Sequence, residues 1–452
     1  MSLRTLRDTA IEEARGDLAS IRQPDVVLPT TGVVGARPSS SAWAAEYDAV
    51  ADGVGFAILE KLSAGTADDA RALLAAHDDW RRLFAANPPD ATAVNAWWSQ
   101  LTTSNPGALD ALVLGASVIV GSLGGVPPAS RVTANAVNAK NRIPAIEAAI
   151  QRMQDAGRGG ETANMSADRR AAIERLRKQL DYLQRAVSGD VQLYLYEPEA
   201  QSIIEMIGTL DENTTDVITY VPGTYTSVHS FYGDEVQAVG RYLQRKDPRL
   251  VTFAWKEGTF PGENAETGAM NLIRIGEAND EVAALDKGRA INDFQEDLYA
   301  SSSYAAVADH DGMGHSWGLA GIAASEVSGA DYAEVHSLAG AGMPSGWAPS
   351  VDTRYFHWSY ADALSMAQST GLVWDGKIPE TDPAFSTRVY GKSGDFSLHL
   401  PGLVGAEAAI FLPAHSDTIS ATIDPIGNHN LIASDQVDNQ RALNDILREV
   451  QK

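Results

Sequence analysis

From Val191 onward, short runs of β-branched and aromatic residues alternate with stretches of helical periodicity, and this alternation restricts the possible folds more than any other feature. The runs are VQLYLY, DVITYVPG, RLVTFAW, AAVADHDGMGHS, AEVHSLAG, TRYFHWSY and STRVYG. Such alternation predicts an α/β fold with a mostly parallel sheet covered by helices. Parallel sheets bind ligands at the carboxyl ends of their strands, so we expect the chemistry in the loops that follow these runs.

The first part of the chain, up to about residue 188, has a different periodicity. Its apolar residues recur at helical spacing and strand-like alternation is scarce. One stripe steps by three and four residues and predicts an amphipathic helix that Gly189 ends; it consists of Ile173, Leu176, Leu180, Leu183 and Val187. A chain of 452 residues is also too long for one ordinary core. We therefore predict a helical amino-terminal domain over residues 1–188 and an α/β domain over residues 189–452.

The net charge and the cysteine content limit the partners and cofactors that this protein can bind. The net charge is -24 and no Lys/Arg block interrupts it, so nucleic acid and anionic membrane surfaces are not expected to bind. The absence of cysteine excludes disulfides, thiolate catalysis and cysteine-ligated metals. The sequence indicates no cofactor, and it does not address the oligomeric state.

Two segments bear on the cellular location. The amino terminus, MSLRTLRDTAIEEARGD, lacks the apolar run of a signal peptide. The longest uncharged stretch, Ala111 to Ser130, is interrupted by glycines and two prolines, and it therefore suits a buried helix and turn better than a membrane span. We predict a cytoplasmic protein without stable membrane insertion, although export by a non-classical route stays open.

The segment Gly314-His315-Ser316-Trp317-Gly318 fits the pattern G-x-S-x-G. In that pattern, the two glycines allow a cramped strand-to-helix turn that exposes the serine as a nucleophile. The strand candidate Tyr304 to Ala308 lies upstream, and the small, apolar sequence LAGIAASEVSG downstream suits a helix packed on a sheet. We therefore predict that Ser316 is a catalytic nucleophile.

The stretch before this turn is unusually polar. A strand leading to a nucleophile turn is commonly apolar, whereas residues 308–312 read ADHDG. A metal cluster is the alternative, with these candidate ligands: Asp309, His310, Asp311 and His315. Adjacent residues on a strand point to opposite faces, so few of these side chains would converge on one ion. We favour a polar strand end or bulge and predict no metal.

A nucleophilic serine also needs donors for the oxyanion. Val221-Pro222-Gly223-Thr224-Tyr225 follows the strand candidate Val217 to Tyr220, and Gly223 allows the chain to turn toward Ser316. We predict that the backbone amides of Thr224 and Trp317 form the oxyanion hole. A Pro-Gly β-turn with no catalytic task is the alternative.

The acid and the histidine follow the serine in this type of fold, in the order Ser, Asp/Glu, His. Asp362 and Asp395 both come after strand candidates. The remaining histidines are His399, His415 and His429. We prefer His429, because its loop directly precedes the expected terminal helix Gln436 to Val450.

Several ordered motifs are similar to one protein family. They are Trp97-Trp98-Ser99-Gln100-Leu101, Gly125-Val126-Pro127 with Arg131 and Ala134-Asn135, Gln192-Leu193-Tyr194, Gly208-Thr209-Leu210, Val221-Pro222-Gly223-Thr224 and the GHSWG turn. From about residue 90 to its end, the chain resembles the actinobacterial α/β-hydrolases long catalogued as a domain of unknown function. Two positions depart from the family pattern: Gly124 replaces an Asp, and Trp317 replaces the commoner Tyr.

The resemblance implies an α/β-hydrolase fold and ester or acyl hydrolysis. Tyr360-Ala361-Asp362-Ala363-Leu364 is similar to the acid motif of the family, which favours Asp362 over Asp395. Tyr225, Phe231 and Tyr232 are our candidates for an aromatic wall around a small, uncharged acyl ester. A hydrolase-shaped binding module without turnover, and a serine peptidase or amidase, are the alternative functions.

Overall fold

A computed structural model describes residues 55–77, 79–81, 89–156, 163–360, 374, 377–390 and 429–452. Its contacts divide the chain into two compact units, Met1–Asn138 and Ala139–Lys452. Residues 139–188, which their periodicity assigned to the helical half, group with the second unit. The boundary between residues 188 and 189 stays a prediction about domain organisation.

The described part of the first unit is helical. Beside a helical stretch at residues 55–63, its α-helices are α1 (Ala67–Ala76), α2 (Ala91–Ser104), α3 (Pro106–Asp110) and α4 (Ser117–Val120), with a π-helical turn at Ala111–Gly115. The side chain of Asp90 caps α2 by accepting a hydrogen bond from the Ala93 amide at 2.8 Å. Trp98, Leu112 and Ile119 belong to the buried apolar cluster of this unit. The next helix along the chain is α5 (Pro128–Ala156).

An eight-stranded sheet forms the centre of the second unit. Its strands are β1 (Gln192–Glu197), β2 (Ser202–Ile207), β3 (Asp216–Val221), β4 (Leu250–Lys256), β5 (Asp309–His315), β6 (Glu334–Leu338), β7 (Arg354–Tyr360) and β8 (Phe385–Tyr390). The spatial order is β1-β2-β4-β3-β5-β6-β7-β8. β2 is antiparallel to both of its neighbours, and every pair from β4 to β8 is parallel. The mostly parallel sheet predicted from the sequence is confirmed.

Helices cover both faces of the sheet. They are α6 (Ala163–Ser188), α7 (Val228–Tyr232), α8 (Ala238–Lys246), α9 (Glu281–Ser301), α10 (Gly318–Ser328) and α11 (Gln440–Val450). α6, α8 and α11 contribute to one apolar cluster that also includes Met313 of β5. The neighbouring Gly312 instead faces Ile322 of α10. α6 ends before Gly189, whose φ of 89° is left-handed, as the sequence predicted.

Two strand predictions need correction. The residue pattern does not separate β2 from β1, and it predicts the strand before Ser316 at Tyr304 to Ala308. That segment instead contains a 3-10 turn, Ala305–Val307, and the polar run itself is β5. The polar residues fit because the imidazole of His310 lies 2.8 Å from the Ala305 carbonyl oxygen, and because burial raises the pKa of Asp311 and so favours its neutral form.

Candidate active site

Ser316 occupies the strand-to-helix turn that the sequence predicted. It directly follows β5, it has a left-handed φ of 53°, and α10 begins at Gly318. A Cβ at Gly314 would lie 2.4 Å from the Leu319 nitrogen, and a Cβ at Gly318 would lie 2.0 Å from the Val221 oxygen. Neither position tolerates a side chain, so the two glycines allow the strand and helix to meet at this serine.

Hydrogen bonds fix this turn to the end of β6. The Ser316 amide donates to the Leu338 carbonyl at 2.9 Å, and the Ser316 carbonyl accepts from the Ala341 amide at 2.9 Å. Such bonds hold the serine in a backbone conformation that costs about 1–3 kcal/mol for a residue other than glycine. Ser316 is 6% exposed, so this serine is buried at the carboxyl end of β5, a strand in the interior of the sheet.

The predicted oxyanion loop contacts the serine. A Cβ placed on Gly223 would lie 2.9 Å from Ser316 Cβ and 3.1 Å from His315 Nδ1, so the loop after β3 passes directly against the turn. Among the described residues, no acceptor is hydrogen bonded to the amides of Thr224 and Trp317. The oxyanion role of these amides is a prediction that this arrangement permits.

Tyr225 lies at the end of the same loop. Its φ of 64° is left-handed, and its amide donates to the Pro261 carbonyl at 2.8 Å. Its ring lies against Gly262, where a Cβ would be 2.4 Å from Tyr225 Cε1. The residue is half-buried, and this burial raises the pKa of the phenol. Tyr225 is therefore a neutral aromatic residue two positions after Gly223.

Phe231 and Tyr232 lie in the core instead. Phe231 is fully buried, and both residues belong to the apolar cluster beneath α6. The Tyr232 ring packs 5.3 Å from the Tyr182 ring, and its hydroxyl lies 3.3 Å from that of Tyr196. These two rings fill core volume in this structure, and their role in binding substrate stays a prediction.

His429 lies beside the nucleophile turn. It is 7% exposed, its ring centroid is 5.2 Å from that of His315, and its carbonyl oxygen is 3.3 Å from His315 Nε2. The other candidates for the acid and the base lie outside the described residues: Asp362, Asp395, His399 and His415. The structure thus places the loop at Gly223 against Ser316 and His315, and it places His429 against His315.

His315 is the residue whose position the sequence analysis missed. It lies between the Gly223 loop and His429, whereas its sequence context suggested only a possible metal ligand. Within the described ranges, no three His, Asp or Glu side chains form a group that could hold a metal ion. No described helix is long and apolar enough to cross a membrane.

Comparisons with known proteins bear on the fold. No protein-family model and no curated protein sequence matches the chain. Among solved structures, the dienelactone hydrolase-like promiscuous phosphotriesterase P91 from metagenomic libraries is similar at 12% identity and a TM-score of 0.31; the match covers 57% of this chain and 95% of that one. The dienelactone hydrolase from Anabaena variabilis ATCC 29413 is similar at 10% identity and a TM-score of 0.26, over 57% and 98% of the two chains.

These similarities are too distant to carry a substrate or a mechanism across. The order and direction of the strands, together with the strand-turn-helix at Ser316, are observations on this chain itself. The protein has an α/β-hydrolase fold.

Proposed function

We propose that this protein is a serine hydrolase that cleaves an acyl ester through a covalent acyl-enzyme. The observation that supports this best is the conformation of Ser316, which is left-handed, hydrogen bonded to the end of β6 and in contact with a loop after β3. Strained backbone of this kind is concentrated at functional sites, where the surrounding structure holds it in place.

In the proposed reaction, the Ser316 hydroxyl attacks the acyl carbonyl carbon while His429 accepts the hydroxyl proton. The ester C–O bond then breaks, His429 returns the proton to the departing alcohol, and the acyl group stays on Ser316. Water, whose proton His429 accepts, attacks the acyl carbon. The bond between that carbon and Ser316 Oγ then breaks, His429 returns the proton to Ser316, and the carboxylic acid is released. The amides of Thr224 and Trp317 would stabilise the negative oxygen in both steps.

The connections to the sheet favour Asp362 as the acid that orients His429. Tyr360 ends β7, which is two strands from β5 and therefore about 10 Å away at a strand spacing of about 4.8 Å. Asp362 follows Tyr360 by two residues. Asp395 follows β8, which is three strands from β5, by a connection of five residues. The shorter connection from the nearer strand supports Asp362.

A fluorophosphonate probe tests this function, because it labels only an activated serine. We expect labelling at Ser316 alone, mapped by mass spectrometry, and we expect kcat for a nitrophenyl ester to fall at least about 10⁴-fold in Ser316→Ala. His429→Ala and Asp362→Asn should also lose most activity, whereas the matched control Asp395→Asn should keep it.

Labelling at another serine, or undiminished ester hydrolysis in Ser316→Ala, would contradict the enzyme assignment. A probe-resistant protein that still folds would instead agree with a binding module. Loss of activity in Asp395→Asn but not in Asp362→Asn would change the acid while leaving the enzyme class unchanged.

A further inference from the structure

A buried ion pair lies at the carboxyl end of β4, the strand next to β3. Lys256 Nζ is 3.0 Å from Glu263 Oε2, and both side chains are 0% exposed. The ammonium also donates to the carbonyl oxygens of Gln201 at 2.8 Å and Gly258 at 2.7 Å. Three acceptors therefore surround the three N–H bonds of Lys256.

The same pair fixes the segment between its two residues. Glu263 Oε2 accepts a hydrogen bond from the Phe260 amide at 2.8 Å, and Lys256 Nζ lies 4.9 Å from the centroid of the Phe260 ring. Residues 257–263, which we call the clamp segment, are thus held at their start by Lys256 and at their end by Glu263.

The clamp segment contacts both sides of the predicted oxyanion hole. The Pro261 carbonyl accepts the hydrogen bond from the Tyr225 amide at 2.8 Å, one residue after Thr224. The Phe260 ring packs edge-on against the buried Trp317 ring, with the centroids 5.1 Å apart. The clamp segment therefore contacts Tyr225, which follows the predicted donor Thr224, and the side chain of the other predicted donor, Trp317.

Stability alone does not account for an ion pair in this place. Replacing a buried ion pair with apolar residues of similar volume is often neutral or stabilising, because desolvation offsets most of the attraction. Burial here lowers the pKa of Lys256 to about 8, with Glu263 opposing that shift and Lys287 adding to it. Glu263 Oε1 is buried without a hydrogen-bond partner among the described residues. The pair does fix the backbone path of the clamp segment, because its hydrogen bonds hold both ends of that segment.

We propose that Lys256 and Glu263 are positioning residues that hold the clamp segment and, through Pro261 and Phe260, keep the amides of Thr224 and Trp317 in place beside Ser316. This inference rests on the proposed function. Neither Lys256 nor Glu263 touches substrate in this role, so their substitution should affect the transition state more than substrate binding.

The test uses the full chain and a double variant, Lys256→Met/Glu263→Leu, which removes both charges together and leaves no unpaired ion. We expect kcat for a nitrophenyl ester to fall about 10–100-fold with KM changed less than about threefold, a partial loss of one oxyanion donor. The inhibition constant of an arylboronic acid, whose serine adduct places an oxygen in the oxyanion hole, should rise by a similar factor. Glu263→Gln retains an acceptor for the Phe260 amide and should keep a higher kcat than the double variant, although it leaves the buried Lys256 without a countercharge and should lower the melting temperature.

The matched control is Asp247→Asn/Arg249→Met, which breaks an ion pair of 2.6 Å at the opposite end of β4. It should lower the melting temperature without changing kcat or boronate affinity. A folded double variant with wild-type kcat and boronate affinity would overturn the inference. If the double variant does not fold, Phe260→Leu decides, because it removes the ring contact with Trp317 and keeps the ion pair; unchanged kcat and boronate affinity there would also overturn it.

The two proposals fail in different ways. A wild-type protein without ester hydrolysis or labelling at Ser316 contradicts the proposed function itself. An active wild type whose clamp variants are equally active contradicts only the positioning role.

Discussion

Gly223→Ala places one methyl group between the oxyanion loop and the nucleophile. The added Cβ would lie 2.9 Å from Ser316 Cβ, 3.1 Å from His315 Nδ1 and 3.3 Å from the His315 carbonyl oxygen. Carbon atoms prefer a separation of about 3.5–4.0 Å, so the loop and the serine must move apart by about 0.6–1 Å. Neither side is a flexible chain end, because the turn at Ser316 is held by hydrogen bonds to β6.

A displacement of this size should affect catalysis much more than folding. Misplacing a reacting group by about 1 Å can cost about 10²-fold in rate, and losing one oxyanion donor costs about 10²–10³-fold in kcat. We therefore expect kcat of Gly223→Ala to fall about 10²–10³-fold, which corresponds to about 3–4 kcal/mol of transition-state stabilisation. Gly223 does not have a left-handed φ, so alanine adds no backbone strain there.

The assay is steady-state hydrolysis of a nitrophenyl ester by wild type, Gly223→Ala and Gly276→Ala, each checked by thermal unfolding. Gly276 is the control, because a Cβ there meets nothing within 4 Å and its φ is not left-handed. We expect the control to match the wild type. A folded Gly223→Ala with kcat within about twofold of wild type would refute a role of this loop in catalysis. A twofold change in kcat corresponds to only about 0.4 kcal/mol of activation free energy.

Two further predictions concern stability and substrate. Burial raises the pKa of Asp216 to about 6. The stability that its protonated form contributes is therefore present below pH 4 and is lost as the pH rises through 6. Asp216→Asn should have a free energy of unfolding up to about 3 kcal/mol higher than the wild type at pH 7.5 but not at pH 4, as measured by urea denaturation at both pH values. For the substrate, Tyr225 beside the site and the net charge of -24 favour an uncharged ester. Tyr225→Ala should raise KM across a nitrophenyl ester chain-length series, and a preference for phosphorylated or carboxylate-bearing substrates would contradict this.

The sequence predicted the features that local constraints determine. A strand buried on both faces needs a run of apolar residues, and such runs identified β3 and β4, while a run rich in aromatic residues identified β7. The nucleophile turn was recognisable because only glycine fits where the backbone of α10 or of Val221 approaches so closely. In both cases, the residue type that the geometry requires is visible along a few consecutive positions.

Features that depend on distant partners were not predictable in this way. β5 reads DHDGMGH, and it is a strand because His310 finds a carbonyl partner and because Gly312 and Gly314 leave room for α10. β2 is fully buried, yet its short run SIIEMI follows β1 so closely that it was not separated from it. The ion pair between Lys256 and Glu263 joins residues seven apart across a loop, and no residue pattern signals it.

The strained backbone at the candidate site also depends on partners that are distant in the sequence. Three residues other than glycine adopt left-handed backbone at the ends of adjacent strands: Tyr225 after β3 with φ 64°, Ser316 after β5 with φ 53° and Ala339 after β6 with φ 46°. Each donates its amide to a carbonyl of another segment, at Pro261, Leu338 and Trp358 respectively. A cost of about 1–3 kcal/mol for each residue persists only where the surroundings fix the conformation. Sequence patterns lead one to expect such conformations at glycine. The G-x-S-x-G pattern indicates the turn at Ser316, whereas the strain at Tyr225 and Ala339 becomes visible only when the fold brings together the segments that hold them.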